Sequence, residues 1–147
     1  MARIKINFPE KYLFDTRIDI RISDINYSGH LGNDRVLALA HEARMRFFDS
    51  LGYTEMNIEA KGIIMSDAAI EFRSEGFYGD KLLVKIAVEE ISARGFDMLY
   101  KIERISDSKE IARIKTGILF YDYGNRKITS MPDSFRNYLV DQDLKTN

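Results

Sequence analysis

The chain has 147 residues, 22 Lys and Arg against 23 Asp and Glu, and a net charge of −1, enough for one domain (residues 1–147) that buries about 70% of its unfolded surface. It has no cysteine and only two histidines, His30 and His41, which excludes disulfides, thiolate metal sites and a cysteine nucleophile and argues against a zinc centre; no metal is expected. Its basic residues are scattered, so nucleic acid is not an expected partner, and with neither a signal-peptide core nor an apolar run of roughly 18 residues, no membrane insertion is expected and the cytoplasm is the default location.

Residues 14–22 alternate: Phe14, Thr16, Ile18, Ile20 and Ile22 on one face, Asp15, Arg17, Asp19 and Arg21 on the other. That is the pattern of a half-buried strand. A polar, turn-rich loop follows over 23–33, with Asn33 as the expected N-cap of a helix over 34–51 that stops at Gly52. Val36, Leu37, Leu39, Ala40, Ala43, Phe47, Phe48 and Leu51 share one arc of that helix, and Arg44 falls inside the same arc. A guanidinium there needs a carboxylate nearby, for which Asp67 is a candidate. At ~27 Å the helix would cross a whole sheet.

Four further strands are expected over 63–73, 81–92, 95–105 and 110–121, with turns at Ala93-Arg94-Gly95 and at residues 106–109, and a short helix over 134–140. One helix followed by a run of antiparallel strands is an α+β arrangement. A single helix covers one face of a five-stranded sheet, so a free edge and uncovered apolar residues call for a second copy of the chain.

The segment Ile20-Arg21-Ile22-Ser23-Asp24-Ile25-Asn26-Tyr27-Ser28-Gly29-His30-Leu31-Gly32-Asn33 resembles the signature of hotdog-fold acyl-CoA thioesterases, particularly the 4-hydroxybenzoyl-CoA thioesterase-like branch. That signature is approximately Asp-x-Asp-x-x-Gly-His-x-x-Asn followed by a helix carrying Glu-x-Arg, here Glu42-Ala43-Arg44. The run from Phe72 to Asp80, ending Gly79-Asp80, is similar to the family's turn into its third strand. The resemblance extends from about Phe14 to Tyr138. It implies a hotdog, a long central helix wrapped by a curved antiparallel sheet of five or six strands, working as a homodimer or a dimer of dimers. It also implies an acyl-CoA or acyl-carrier thioester as substrate, no cofactor beyond the coenzyme A of the substrate, and a site where two subunits meet. By position in the pattern the Asn33 amide would polarise the thioester carbonyl, Gly29 and Gly32 would let backbone approach the substrate, and Arg94, with Arg73 less strongly, would contact nucleotide phosphate. A helix N-terminus suits a developing oxyanion on physical grounds as well.

The sequence departs from that pattern at one position. The second acid of the signature, nucleophile or base in the benzoyl-CoA branch, is Asn26 here, and an amide takes no proton at neutral pH. Three arrangements remain open. Asn26 orients water or the carbonyl while His30 acts as general base, a role suited to imidazole; plant acyl-carrier thioesterases resemble this loop in carrying a histidine there. Alternatively Asp24 serves as the acid residue, or the protein binds acyl thioesters without cleaving them. A hydratase or dehydratase is disfavoured because Asp24 and His30 are separated by five residues rather than four. Glu42 falls ~13.5 Å along the helix from Asn33 and four residues before Arg46, where a surface ion pair is expected. His41 is expected on the helix surface or at an interface.

Overall fold

The computed structural model describes residues 2–146; Met1 and Asn147, the ends of the expected 1–147 domain, lie outside them. In chain order the elements are β1 (Phe14–Asp19), a 3₁₀ turn (Ile22–Asp24), α1 (Asn33–Ser50), β2 (Gly62–Phe72), β3 (Lys81–Glu89), β4 (Gly95–Arg104), β5 (Glu110–Asp122), β6 (Lys127–Ile128) and α2 (Asp133–Thr146). The strands form one antiparallel sheet in the order β1-β3-β4-β5-β2, with β6 added to β5. Helix α1 packs on β1, β3 and β5.

Side-chain alternation puts one apolar set from each central strand on the inner face. Leu82, Val84 and Ile86 of β3, Met98, Tyr100 and Ile102 of β4, and Ala112, Ile114 and Phe120 of β5 are all fully buried. They meet Ala40, Ala43, Phe47 and Phe48 of α1 in one core. Helix α2 closes one end through Phe135, whose ring lies about 6 Å from those of Phe48, Tyr53, Phe96 and Phe120. Lysine pairings with glutamate and aspartate, among them Lys85–Glu103 and Lys115 with Asp67 and Asp97, line the outer face, which residues near the N-terminus cross: Ile6 packs there on Ala87 and Leu99.

Three sequence expectations need correcting. The first strand ends at Asp19, because the chain turns into a 3₁₀ segment and leaves Ile22 71% exposed. The N-cap of α1 is Gly32, with Asn33 the first helical residue. The partner of Arg44 is Glu55, at 2.5 Å; Asp67 instead accepts from Lys115 and from the Gly117 amide, beside an irregularity in β2. Strand β6 brings the sheet to six, within the five or six strands that the resemblance implies; at two residues it is too short to show periodicity.

Strand β2 is left as a free edge. Phe72, paired with Ala112, faces inward yet is 53% exposed, and Met65 and Leu37 are also open. The inner surface of β2 extends past the reach of α1.

Candidate active site

The loop between β1 and α1 is held by its own backbone. The Asp24 carbonyl accepts the Gly32 amide at 3.0 Å, Ile25 and Leu31 bridge, and the Asn26 amide donates to the His30 carbonyl at 3.0 Å. Gly29 takes φ +86, the left-handed conformation that closes this tight turn and that side chains resist. The Asn26 Oδ1 accepts the Ser28 amide at 2.9 Å, an Asx turn. The Nδ2 group of Asn26 and the second lone pair of its Oδ1 remain for another partner. Asp24 is buried, and its Oδ2 accepts the Arg21 amide at 2.8 Å with the Arg21 guanidinium at 3.5 Å.

The clamp delivers the chain to α1 with its first amides unoccupied. A serine, threonine or aspartate at an N-cap would turn its side chain back onto those N–H groups. Gly32 has none, and the Asn33 and Asp34 amides have no acceptor among the described residues. A Cβ at Gly32 would lie 2.7 Å from Asp34 Oδ1, so glycine also permits the close approach of the turn to the helix.

Beside this helix start lies a cleft of about 230 Å³ walled by His30, Asn33, Val36, Phe72, Arg73 and Glu75 among others. His30 Nδ1 is 3.4 Å from the Leu31 carbonyl and Nε2 is 4.0 Å from Glu75 Oε1. Donation from Nδ1–H to Leu31 would leave the Nε2 lone pair directed at the cleft. Arg73 is already engaged: its guanidinium bonds Glu71 and Glu110, each at 2.6 Å. The Arg73 guanidinium is held above its ordinary value chiefly by the Glu71 hydrogen bond. The carboxyl of Glu71 is held low in turn, by the Ile6 amide first and by Arg73 next.

Of the residues singled out in the sequence, the fold brings His30, Asn33 and Arg73 to this cleft. Asn26 stands behind Gly32, its Cβ 3.6 Å from where a Cβ of Gly32 would be. Asp24 opens instead onto a separate groove with Glu42 and Arg46. Glu42 and Arg46 form the expected i,i+4 pair at 2.9 Å. Arg94 sits at the far end of the sheet, where its carbonyl accepts the Phe120 amide. Phe120 lies nine positions along β5 from Ile111 at the cleft, about 30 Å. Sequence reasoning passed over Glu75. It lies within the turn quoted above, but the signal that selects it is three-dimensional: the Leu31 amide donates to the Gly76 carbonyl at 2.8 Å and so sets residues 30 and 75 side by side.

A long helix enclosed by one antiparallel sheet, with a glycine-rich turn leading into its open end, is the hotdog architecture. The model of the thioesterase-like superfamily matches residues 20–139, and the chain belongs to that superfamily. One relative, the 1,4-dihydroxy-2-naphthoyl-CoA hydrolase of Synechocystis, is 24% identical over 127 residues, covering 84% of this chain and 92% of its own. Among solved structures, a 1,4-dihydroxy-2-naphthoyl-CoA thioesterase from Synechocystis superposes with a TM-score of 0.80 at 23% identity, covering 88% of this chain and 97% of that one. A DHNA-CoA thioesterase from Staphylococcus aureus gives 0.78 at 20% identity, with 89% and 91% covered.

Proposed function

We propose that the chain hydrolyses acyl-CoA thioesters as a homodimer, by direct attack of water. The observation that carries this reading is the open start of α1: Asn33 shares a cleft with His30, and neither the Asn33 nor the Asp34 amide has an acceptor among the described residues. A thioester carbonyl seated against those amides develops its negative charge at the positive end of α1, where hydrogen bonds strengthen as the charge grows. His30 takes a proton from water at Nε2 while the water oxygen bonds to the carbonyl carbon. Collapse of the tetrahedral intermediate breaks the C–S bond, and the coenzyme A thiolate recovers the proton from the imidazolium. Asn26, whose Oδ1 accepts the Ser28 amide, contributes through its Nδ2 as a donor. No carboxylate attacks, and no metal or bound cofactor takes part.

The relatives act on a naphthoyl thioester. Phe72, Val36 and Ile111, apolar members of the cleft wall, suit an aromatic or comparably compact acyl group here. The second protomer would join along the free β2 edge, covering Met65 and Phe72 and completing a continuous sheet, with Arg94 of one chain supplied toward the cleft of the other. A dimer of dimers would need a second surface, and the crossed, charge-lined outer face offers a poor one.

An acyl-CoA panel spanning short, long and aromatic acyl groups, read by thiol release, tests the activity, with His30→Ala as control. Sedimentation equilibrium tests the dimer. No thiol release across the panel would overturn the hydrolase reading in favour of a binding protein, and a monomer at micromolar concentration would overturn the assembly.

A further inference from the structure

We infer that Glu75 is a second catalytic residue, which holds the attacking water together with His30; this rests on the hydrolase reading above. The loop after β2 is fixed on both sides of Glu75: the Ser74 amide donates to the Ile111 carbonyl at 3.2 Å, and the Gly76 carbonyl accepts Leu31. The Glu75 carbonyl accepts from Arg104 at 3.1 Å. Gly76 is buried against Ile20 and Leu31, leaving no room for this strand of the loop to drift. Glu75 itself is 65% exposed in its side chain and has no hydrogen bond among the described residues that would give its carboxylate a structural task. The position is rigid and the side chain is uncommitted.

The separation of the two groups defines what fits between them. At 4.0 Å, Nε2 and Oε1 are too far apart for a direct hydrogen bond. One water donating both of its protons, each over about 2.8 Å, reaches two acceptors roughly 4.4 Å apart. The observed gap is close to that span. With Nδ1–H turned to the Leu31 carbonyl, Nε2 is an acceptor, and the carboxylate is an acceptor only. A water so held has both lone pairs facing away from His30 and Glu75, into the cleft that Asn33 walls on the other side. Attack then forms the O–C bond as Nε2 takes one proton. The second proton stays hydrogen-bonded to Glu75, and the carboxylate charge stabilises the imidazolium. The proton on Nε2 leaves with the thiolate; the acid product releases the other to solvent. Glu75 ends each cycle unchanged.

The test compares wild type, Glu75→Ala, Glu75→Gln and His30→Ala on the best acyl-CoA of the panel, as full-length protein. Losing one of two water anchors should lower kcat about 10- to 100-fold while KM stays within about twofold, because Glu75 has no part in seating the thioester. Gln keeps an acceptor of the same length, so Glu75→Gln should recover part of the lost kcat. A purely structural role would instead lower thermal stability in both variants and leave no difference between Ala and Gln in kcat. Glu75→Ala turning over within twofold of wild type, with His30→Ala inactive, would overturn this inference and leave the hydrolase reading standing. An inactive wild type would overturn both.

Discussion

Both histidines of this chain face a glutamate, and the two pairs do opposite things. At the middle of α1, His41 lies 3.4 Å from Glu55, whose other oxygen accepts from Arg44 at 2.5 Å. Arg44 reaches on to the Tyr100 hydroxyl at 3.0 Å, and Tyr100 meets Thr116 at 2.8 Å. Burial pushes the Tyr100 phenol up, so it remains a hydroxyl that accepts from Arg44 and shares a hydrogen bond with the Thr116 hydroxyl. Burial also works against the charge on Arg44, but its bonds to Tyr100 and Glu55 more than offset that. Nearly every donor and acceptor here answers another. At the start of α1 the inventory is reversed: His30 and Glu75 stop short of each other, two amides have no acceptor, and the cap is a residue with no side chain. A polar cluster that is fully satisfied holds a fold together; one left partly open beside a cleft has capacity for a substrate.

The largest effect that would break this contrast is kinetic. His30→Ala should lower kcat by about 100-fold or more with the melting temperature little changed, while His41→Ala should leave kcat within about threefold. Steady-state thiol release and a thermal melt of each variant check it. If the two histidines prove interchangeable in rate, the division between the clusters is wrong.

The next effect is on stability. Arg44→Ala strands Glu55 and Tyr100 and opens space beside the core. Glu55 keeps some access to water, so the cost should fall below that of a wholly buried pair, about 2–3 kcal/mol, lowering the melting temperature by about 5–10 °C. Substitution of Glu75 should move it by less than about 2 °C.

Gly32→Ser sharpens the comparison because its two readouts should diverge. The added hydroxyl can cap the amides that a substrate would use, and the side chain in its way, the carboxylate of Asp34, is able to rotate aside. Helix stability should hold or rise slightly, and kcat should fall at least about tenfold. Loss of both together would mean that the turn had merely been disrupted.

A smaller test concerns the Arg73 cluster at the edge of the cleft. The Glu71 carboxyl is lowered in the folded chain, so its contribution to stability is complete above the unfolded glutamate value and is lost as pH falls through the folded one. As pH falls below about 4.5, Glu71→Gln should lose stability less steeply than wild type in urea titrations. An unchanged slope would mean that the Ile6 amide and Arg73 do not hold the Glu71 carboxylate as tightly as the distances suggest.

The architecture was legible because each main element repeats its signal. Four strands and a helix of eighteen residues show their buried faces several times over, as in the alternation of Leu82, Val84 and Ile86 with Leu83 and Lys85. Local chemistry that occurs once was harder to read. Asn33 is a good capping residue by type, yet Gly32 takes the position, because the backbone clamp to Asp24 fixes where the helix begins. Arg44 was recognised as needing a carboxylate, but the choice between Asp67 and Glu55 depends on how the loop after α1 folds back, which no periodicity encodes. The loop around His30 was conspicuous for its motif. Glu75, forty-five residues away in sequence and on an ordinary turn, becomes visible only through the bond from Leu31 to Gly76.

The smallest predicted effect separates the loops that serve the two ends of α1. The loop before α1 places glycine at its left-handed position, Gly29. The loop after α1, which carries Glu55, has Glu59 at φ 51 and Ala60 at φ 74, the central pair of a tight turn bridged by Ile58 and Lys61. Turns of this kind prefer Asn-Gly, and an alanine there is strained by about 1 kcal/mol. Surrounding bonds hold it: Asn57 Oδ1 accepts the Ala60 amide at 2.9 Å, and Lys61 reaches the Ser130 carbonyl at 2.7 Å. Ala60→Gly removes the strain but adds freedom to the unfolded chain, so a net gain of about 0.5 kcal/mol is expected, or 1–2 °C in melting temperature. Activity should not change. A faster enzyme would mean that the strained turn restrains motion reaching the cleft, and the two ends of the helix would then be coupled rather than separate.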